Sequence, residues 1–501
     1  MKKVILISLV FVLFNINIVK GENVFVVKNT NPSGENSFYW AVTEAAKNGG
    51  IIKFDIPEED KNFDGKTWKI TLRDNLPIIE KKIIIDGLSQ NEKFKEMDNS
   101  LPLIVIDASL LTSDTFFTFK YEFEMNGIKL TNFKNKDYIR IETNRGTIKN
   151  VSVENGDTGI HLFKSSNIKI LNSSFRNLNY GVYLYYSNNN LIDGINVEKS
   201  VFGVRFYFSS SNEIRNSFFK SCDTGIRVFY NSLRNKIHDN YFENNSDGIF
   251  LRDSFNQKND FYKNVFNKNI NGIHLYYGTS ALIYENEFNN NDNGILMEFF
   301  SLTNSIYKNS FNKNKFGVKL FNGSDKNSIS ENSFKECDFG IYFEEKSNKN
   351  NFFTKNIFIN NKSNIVLNGG NEDIKPPNLI FAKIFGKSIL ISLKSEKRGK
   401  VEIFSSDLIG ENSYSFLGEK EVQTGDNLFY ILTDEDFLGK YILLTFTDLS
   451  SNTSEFSKIL VDKKTPFLDL TLKGPSQVER GGKAEFLSTI KNLGEEEIQD
   501  V

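Results

Sequence analysis

Residues 304–318 read NSIYKNSFNKNKFGV, and variants of this stretch recur through the middle of the chain. It joins an Asn-x-(Ile/Phe)-x-x-Asn-x-Phe motif to a glycine that is followed by Ile or Val. The motif begins again at Asn235, Asn259, Asn304, Asn327 and Asn351, is shortened at Asn212, and has Ala281 for its first Asn in one copy. The glycines, 22 to 24 residues apart, are Gly159, Gly181, Gly203, Gly225, Gly248, Gly272, Gly294, Gly317 and Gly340. A fixed period of this length indicates a repeat architecture.

Within each copy, apolar and polar residues alternate, which is typical of a strand with one buried face. The first and third residues after each glycine are apolar, as in Ile160 and Leu162. Short strands in units of about 22 residues, without a helical pattern, predict an all-β fold, a right-handed, single-stranded parallel β-helix. Its regular coils are expected over about residues 155–365. Leucine-rich repeats and propellers do not fit the leucine spacing or the period.

Two further patterns support the β-helix. No proline lies between Pro102 and Pro376, and proline would remove a hydrogen bond from a stacked strand. The residues three before successive glycines are Cys222, Asn245, Asn269, Asn291, Asn314 and Cys337. Stacked asparagine amides can hydrogen-bond along such a column. The two cysteines would be five coils apart, about 24 Å at the strand spacing, beyond the ~7 Å reach of a disulfide. We therefore expect free, buried thiols.

The charge composition indicates which partners the protein can have, and the first residues indicate its location. Lys plus Arg number 61 and Asp plus Glu 63, a formal charge of −2, which argues against a nucleic-acid partner. Residues 1–21 have a charged start, the apolar run Val4–Phe14 and small residues near Gly21. This pattern predicts a signal peptide cleaved near Gly21–Glu22. No other stretch approaches 18 consecutive apolar residues, so no transmembrane span is predicted. A secreted, extracellular or cell-surface protein is expected.

The repeat pattern divides the chain. Residues 22–370 are expected to form the β-helix with an amino-terminal cap that contains a helix within residues 36–50. Residues 371–377, NEDIKPP, predict a linker. Residues 378–462 predict a small β-sandwich, and residues 463–501 the start of an immunoglobulin-like domain. Such a domain needs ~100 residues, so we expect a fragment of a longer, surface-displayed protein.

Several segments resemble known families. Ile52–Pro57 and Ile85–Gly87 resemble the amino-terminal cap of bacterial secreted β-helix proteins, including polymorphic-outer-membrane-type proteins. The coils resemble the pectate-lyase-like and NosD-type repeat class. Thr445–Ser457 is similar to the closing motif of a β-sandwich of secreted bacterial proteins. Leu468–Leu472 is similar to an opening strand of tandem immunoglobulin-like repeats.

The NosD-type resemblance implies a link with copper delivery. The chain has three histidines, His161, His238 and His274. The first and third hold the same place in coils five apart, about 24 Å, and His238 lies in a different strand. They cannot share a site whose ligands are ~2 Å from one centre. The sequence therefore predicts solvent-facing histidines, no metal site and no cofactor.

The residues two and four past each glycine are expected to point outward. They are His161, Phe163, Tyr183, Tyr185, Arg205, Tyr207, Arg227, Phe229, Phe250, Arg252, His274, Tyr276, Leu296, Glu298, Lys319, Phe321, Tyr342 and Glu344. Sugar rings stack on aromatic faces, and arginines suit uronic-acid carboxylates. The predicted ligand-binding residues are Tyr183, Tyr185, Tyr207, Phe229, Arg252 and Tyr276. Cross-strand packing alone also favours aromatic ladders.

Two functions remain open. The favoured one is a non-enzymatic surface protein that binds a polysaccharide or cell-surface component along this face. The alternative is a polysaccharide lyase or glycoside hydrolase acting on acidic polysaccharide on the same face, with Arg205, Arg227, Glu298 and Glu344 as catalytic candidates. As a uronate lyase it would use Arg205 or Arg227 as base, with Ca²⁺ near Asp253. Glu298 and Glu344 would be near 10 Å apart, outside the ~6.5–9.5 Å of inverting glycosidases. Polygalacturonase-type motifs are absent, and the uniform coils leave no insertions to wall a cleft.

Overall fold

The computed structural model describes most of the chain outside its two termini. The described residues are 23–93, 102–134, 136–254, 258–385, 387–407, 409–433, 436–462, 468–473 and 487–492. The predicted signal peptide lies outside them. Their helices are one α-helix, Phe38–Asn48, and two 3₁₀ segments, Gly87–Lys93 and Asn371–Asp373. None of these is long and apolar enough to cross a bilayer.

Three parallel sheets form a β-solenoid of about fourteen turns. The first sheet comprises Val24–Val27, Gly50–Phe54, Ile83–Asp86, Phe123–Asn126, Gly146–Lys149, Ile168–Leu171, Leu191–Asp193, Glu213–Arg215, Lys236–His238, Asp260–Tyr262, Leu282–Tyr284, Ser305–Tyr307, Ser328–Ser330 and Phe352–Thr354. The second sheet comprises Trp68–Thr71, Ile104–Asp107, Ile128–Thr131, Ser152–Phe163, Ser174–Tyr185, Asn196–Glu198, Phe218–Lys220, Tyr241–Glu243, Val265–Asn267, Glu287–Asn289, Ser310–Asn312, Ser333–Lys335 and Ile357–Ile359. The third sheet comprises Thr115–Phe119, Asp137–Ile141, the same Ser152–Phe163 and Ser174–Tyr185, Phe202–Tyr207, Thr224–Phe229, Asp247–Ser254, Asn271–Gly278, Asn293–Glu298, Phe316–Leu320, Phe339–Phe343 and Ser363–Val366. The predicted parallel β-helix is confirmed.

Equivalent residues of successive coils stack in register. Ile273 pairs with Ile249 on one side and with Ile295 on the other. The cap helix is present, and its amino terminus is capped by Ser37, whose hydroxyl accepts a hydrogen bond from the backbone N–H of Trp40. The apolar residues that the alternation predicts to face inward, such as Ile160 and Leu162, are buried, because each strand turns one face into the solenoid.

A phenylalanine column explains why each coil contains its glycine. Its members, with successive centroids 4.7–5.0 Å apart, are Phe219, Phe242, Phe266, Phe288, Phe311, Phe334 and Phe358. A Cβ atom on Gly272 would lie 2.6 Å from the carbonyl oxygen of Gly294 and 2.7 Å from the ring of Phe288. Both distances are too short for a side chain, so the ring and the next coil leave room only for glycine.

Three asparagine ladders fill the turns of the solenoid. The first contains Asn190, Asn212, Asn235, Asn259, Asn304, Asn327, Asn351 and Asn371, interrupted by Ala281. The second contains Asn240, Asn264, Asn286, Asn309, Asn332 and Asn356. The third contains Asn245, Asn269, Asn291 and Asn314, with Cys222 before them and Cys337 and Asn361 after them. The third ladder is the one predicted, and both cysteines are free and buried as expected.

Asn264 shows the bonding of a ladder member. Its Nδ2 donates to the backbone oxygen of Ile237 at 2.8 Å and to Oδ1 of Asn286 at 3.1 Å. Its Oδ1 accepts from the backbone N–H and the Nδ2 of Asn240, at 3.1 and 3.0 Å. A fully buried amide is therefore satisfied by its two equivalents, as a buried polar group requires.

A seven-stranded sheet covers the carboxyl-terminal end of the solenoid. In spatial order its strands are Ser415–Val422, Gly399–Ser405, Tyr441–Asp448, Ser457–Asp462, Asn378–Phe385, Ser388–Ser395 and Gly425–Leu432. The buried Glu402 accepts hydrogen bonds from the hydroxyl of Thr354 and the backbone N–H of Lys355. The N–H of Ser413 donates to the carbonyl of Phe358 at 2.8 Å. The sheet thus satisfies polar groups that the last coil leaves open.

Two predicted boundaries can be placed on this structure. Asn371, the first residue of the predicted linker, is fully buried and ends the first asparagine ladder. Leu468–Lys473 and Leu487–Asn492 form an antiparallel pair within the segment predicted as immunoglobulin-like. The β-sandwich and immunoglobulin-like assignments stay predictions.

Replacing Asn264 with Ala is expected to destabilise the solenoid by about 2–4 kcal/mol, because a buried donor or acceptor left without a partner costs about 1–3 kcal/mol. Denaturant unfolding of the full chain measures this loss. Asn196→Ala is the matched control, since Asn196 is exposed on a strand of the second sheet. Equal effects of the two substitutions would contradict the ladder's role.

Candidate functional site

The outer face of the third sheet carries rows of aromatic and charged side chains. In-register pairing places the residue four past each glycine beside its equivalent, as in Tyr185 beside Phe163 and Tyr207. A second row follows at the turn, five past each glycine, where Tyr186 stacks on Phe208. The strand alternation that led to the first row does not extend into this turn, so the sequence analysis missed the second row.

We call Tyr185, Tyr186, Tyr207, Phe208 and Tyr230 the aromatic platform. Along the solenoid its rings stack nearly parallel: Tyr185 on Tyr207 at 5.4 Å, Tyr186 on Phe208 at 5.0 Å, and Phe208 on Tyr230 at 5.8 Å. Across the two rows the rings meet edge to face, at 74° and 77°. Tyr186 and Tyr230 are 44% and 39% exposed, so the platform presents ring surface to solvent.

The turn row of the platform is built from residues in an unfavourable backbone conformation. Tyr186, Phe208 and Tyr230 have φ of 50°, 48° and 45°. This left-handed region costs about 1–2 kcal/mol for an L-residue other than glycine, and a bulky side chain there is an outlier. The equivalent position one coil earlier holds Lys164, and other turns of the solenoid use Asn, such as Asn177. The aromatic identity at this turn is therefore not required by the backbone.

The predicted ligand-binding residues fall into two groups. Tyr185, Tyr207, Arg252 and Tyr276 are partly exposed. Phe229 is only 8% exposed, because arginine side chains cover its ring.

Tyr183, the remaining predicted ligand residue, is partly exposed and packs against neighbouring rings. Its ring stacks on His161 at 4.9 Å and on Tyr180 at 5.4 Å. Burial raises the pKa of Tyr183 to about 12. Phe229 therefore supports the face from beneath, whereas Tyr183 keeps part of its side chain at the surface.

Arg205 and Arg227 occupy paired positions of adjacent strands beside the platform. The Arg205 guanidinium lies 5.2 Å from the ring centroid of Tyr183 and donates to the hydroxyl of Tyr180 at 2.9 Å. The Arg227 guanidinium lies 4.8 Å from the ring centroid of Phe229. Burial, with the charges of Arg205 and Arg252, lowers the pKa of Arg227.

The two glutamates that the sequence offered as catalytic candidates are both ion-paired. Glu298 accepts from Nε2 of His274 at 3.0 Å, and Glu344 lies 2.5 Å from Nζ of Lys319. The opposite nitrogen of His274 contacts Asp247 at 3.2 Å. Burial opposes the imidazolium, but the hydrogen bonds to Asp247 and Glu298 prevail and raise the pKa of His274 to about 9.

The prediction that the histidines face solvent is wrong. The side chains of His161, His238 and His274 are 12%, 11% and 14% exposed. Each is held by acidic side chains: Nδ1 of His161 lies 2.8 Å from Asp137, and His238 contacts both Glu213 and Asp239. Strand alternation places a residue on the outer face but does not show how neighbouring long side chains cover it.

One known protein family matches this chain, and the match lies on the coils. A profile described as periplasmic copper-binding protein (NosD) matches residues 109–319 and 248–376, which together span more than half of the chain. The chain belongs to the NosD family. The match lies on the repeating coils, where the sequence analysis had placed its NosD-type resemblance. No curated protein matches the chain significantly in sequence.

Solved structures with similar architecture include three of different kinds. The catalytic domain of an alpha-1,3-glucanase has a TM-score of 0.40 and 12% identity, over 68% of this chain and 66% of that domain. The tailspike protein of E. coli bacteriophage HK620 has a TM-score of 0.47 and 10% identity, over 81% and 90%. PfbA, a surface adhesin of Streptococcus pneumoniae, has a TM-score of 0.43 and 15% identity, over 80% and 100%. This chain thus spans just under two thirds of the glucanase domain. At these identities the likeness to the three structures concerns the fold alone.

The NosD description raises the question of copper ligands. Within the described residues, no group of three His, Cys, Asp or Glu side chains is arranged to hold a metal ion. The carboxylates on both nitrogens of His274 keep it protonated near neutral pH, and burial raises the pKa of Cys222 and of Cys337 to about 11. Copper needs neutral imidazoles or thiolates converging on one point. The described residues do not fit a copper site.

His274 predicts a pH-dependent stability. A folded-state pKa of about 9 against an ordinary 6.5 means that its contribution is complete below pH 6.5 and lost as the pH rises through 9. The shift corresponds to about 3 kcal/mol. The difference in unfolding free energy between the wild type and His274→Gln should therefore shrink from about pH 6 to about pH 10. Lys362→Gln, which removes a surface ion pair, is the control. A difference that stays constant with pH would contradict the assignment.

Copper binding gives a second test of the site. This NosD-family chain is expected to take up no stoichiometric Cu(I) or Cu(II) in competition with a chromophoric chelator, because the histidines and thiols of its described residues do not converge on one point. Uptake of one equivalent that His161→Ala or Cys222→Ala abolishes would contradict this expectation.

Proposed function

We propose that this protein is an exported, non-enzymatic binding protein that holds a polysaccharide, free or at a cell surface, against the aromatic platform. The observation that carries the proposal is the row Tyr186, Phe208 and Tyr230, whose rings are displayed from left-handed turn residues. Strain of this kind persists where the surrounding structure supports it and clusters at binding sites. The predicted signal peptide and the periplasmic description of the family support a location outside the cytoplasm.

Sugar recognition suits the chemistry of this surface. Carbohydrate rings pack their apolar C–H faces on aromatic rings while their hydroxyls remain hydrated, and tyrosine offers both an apolar body and a polar tip. The platform extends over three consecutive coils, so a chain with repeated sugar units would meet repeated rings. A single small ligand would use only part of it.

Packing alone is a weaker account of the turn row. Cross-strand aromatic pairs stabilise sheets by about 0.2–1 kcal/mol each, whereas each left-handed backbone costs about 1–2 kcal/mol. Asparagine adopts this conformation readily, as it does at Asn177 and Asn290. A sequence selected only for stability would therefore favour Asn at Tyr186 and Tyr230.

The hydrolase alternative lacks free carboxylates at its predicted positions. Glu298 is bound by His274, and Glu344 by Lys319. Asp253, where the lyase alternative would place a calcium ion, is also paired, with Nε of Arg252 at 3.2 Å. Glycoside hydrolysis needs one carboxylate to give a proton and another to act as base or nucleophile, and these partners hold both glutamates in ion pairs.

A uronate lyase is the second candidate, favoured by one observation. The pKa of Arg227 is lowered by burial and by its cationic neighbours, which is the direction that a base requires. In such a lyase Arg227 would remove the proton alpha to the uronate carboxyl, and the glycosidic oxygen would leave with formation of a C=C bond. An absorbing unsaturated product would identify this reaction.

The double variant Tyr186→Asn/Tyr230→Asn tests the proposal. It removes exposed rings but supplies a residue suited to positive φ, so we expect unfolding stability to stay the same or rise. Affinity is measured from the retardation of the full chain in native gels containing dextran, β-glucan, polygalacturonate or alginate. We expect it to fall at least about tenfold, because each lost ring removes about 1 kcal/mol of stacking.

Tyr121→Ala is the matched control, because Tyr121 is 54% exposed on a different part of the solenoid. Unchanged retardation with lowered stability of the double variant would show that the rings serve packing. Release of an unsaturated product from polygalacturonate or alginate, abolished by Arg227→Ala, would replace the binding proposal with the lyase.

A further inference from the structure

The two arginines beside the platform differ from the other cations of the same face. Arg205 and Arg227 are directly paired across adjacent strands, where neighbouring strands are about 4.8 Å apart. Their Nε atoms are buried and have no hydrogen-bond partner. Among the described residues, the one side-chain hydrogen bond from the pair runs from Arg205 to the hydroxyl of Tyr180.

The remaining cations of this face have acidic partners. Arg140 contacts Asp137 and Glu142, Arg252 contacts Asp253, Lys319 contacts Glu344, and His274 contacts Asp247 and Glu298. Within the described part of the chain, neither Arg205 nor Arg227 forms an ion pair with a carboxylate. Among the cations on the described strands of this face, only this pair therefore lacks a carboxylate partner.

Two adjacent, half-buried guanidinium groups repel each other and lose hydration. The rings that surround them offset part of this cost: Tyr180, Tyr183, Phe202, Tyr207, Phe229 and Phe250 each lie within 6.0 Å of one guanidinium or both. Cation–π contacts contribute about 0.5–1 kcal/mol at exposed sites but leave the N–H donors unused. A buried donor without a partner costs about 1–3 kcal/mol, and an oxyanion would supply the missing acceptors.

We infer that Arg205 and Arg227 form a binding site for an oxyanion carried by the polysaccharide, either a uronate carboxylate or a sulfate ester. The inference rests on the proposed function, since the platform residue Tyr207 contacts Arg205 and would place sugar rings next to the pair. Planar guanidinium groups bind such oxyanions through paired N–H donors. Because the chain has a net charge of −2, general electrostatic attraction does not favour polyanions, and their binding requires a local cationic site.

The consequence is a preference for acidic over neutral polysaccharide. Stacking on the platform tolerates both classes, because every sugar ring has an apolar face. The arginine pair adds hydrogen bonds that only the charged substituent can accept. Selectivity between a uronan and its neutral form should therefore depend on Arg205 and Arg227, and overall affinity on the rings.

Binding to matched ligands tests the site with the full chain. Oligogalacturonate is compared with its methyl ester, and dextran sulfate with dextran, by isothermal titration calorimetry. We expect the wild type to bind one acidic ligand at least about tenfold more tightly than its neutral counterpart, the size of one charge-assisted hydrogen bond. The pair that shows the preference identifies carboxylate or sulfate as the bound group. Arg227→Gln should abolish the preference without weakening neutral binding, and Arg227→Lys should restore only part of it.

Arg176→Gln is the matched control, because it removes the same charge from an exposed position on the second sheet. An equal loss of acidic binding in this variant would show general electrostatic attraction and overturn the inference. So would acidic and neutral forms that bind the wild type equally.

Small anions separate this inference from the proposed function. Inorganic sulfate and galacturonate monosaccharide should raise the melting temperature of the wild type, and less so that of Arg205→Gln and Arg227→Gln. If no polysaccharide binds but these shifts appear, the polysaccharide proposal fails and the oxyanion site stands. If polysaccharides bind without preference and no shift appears, the oxyanion site fails and the platform stands.

Discussion

The hydrogen-bonded stacking of equivalent residues in successive coils governs almost every feature of this molecule. Because strands pair in register, the neighbours of a side chain such as Ile273 are the equivalent residues of the coils below and above it. A buried amide such as Asn264 can exist in the turn only because an identical amide lies on each side of it. The same constraint makes Gly272 obligatory, since the next coil approaches to within the volume of a Cβ atom.

The constraint treats apolar and charged columns differently. Like apolar residues gain from stacking, and the phenylalanine column repeats at 4.7–5.0 Å without a break from Phe219 to Phe358. Like charges lose from it, and most charged residues of the outer rows have an aromatic or apolar neighbour in register, as Lys319 has Tyr342 and Leu296. Against this background, the stacked pair Arg205 and Arg227 is an exception with a cost, and exceptions of this sort occur where function outweighs stability.

Sequence patterns predicted the features that repeat and missed those that depend on side-chain reach or on distant segments. Period and alternation were sufficient for the coils, the core and the third asparagine ladder, because each is a statement about one position repeated many times. The environment of His274 was mispredicted, since its two carboxylates come from the coils on either side. The contact of Glu402 with Thr354 and Lys355 joins segments almost 50 residues apart. No repeated sequence pattern predicts this contact.

The same distinction limits what family membership says about function. The residues that recur from coil to coil in the matched segment are buried ones: the glycine, the phenylalanine and the ladder asparagines, which the solenoid needs in order to stack. The outer face lies outside that requirement, so its residues are free to differ between proteins with the same coils. Here they hold no convergent copper ligands within the described residues, but they do hold strained aromatic turns and an uncompensated arginine pair. The chemistry of this chain is therefore better argued from Tyr186, Arg205 and Arg227 than from its repeat.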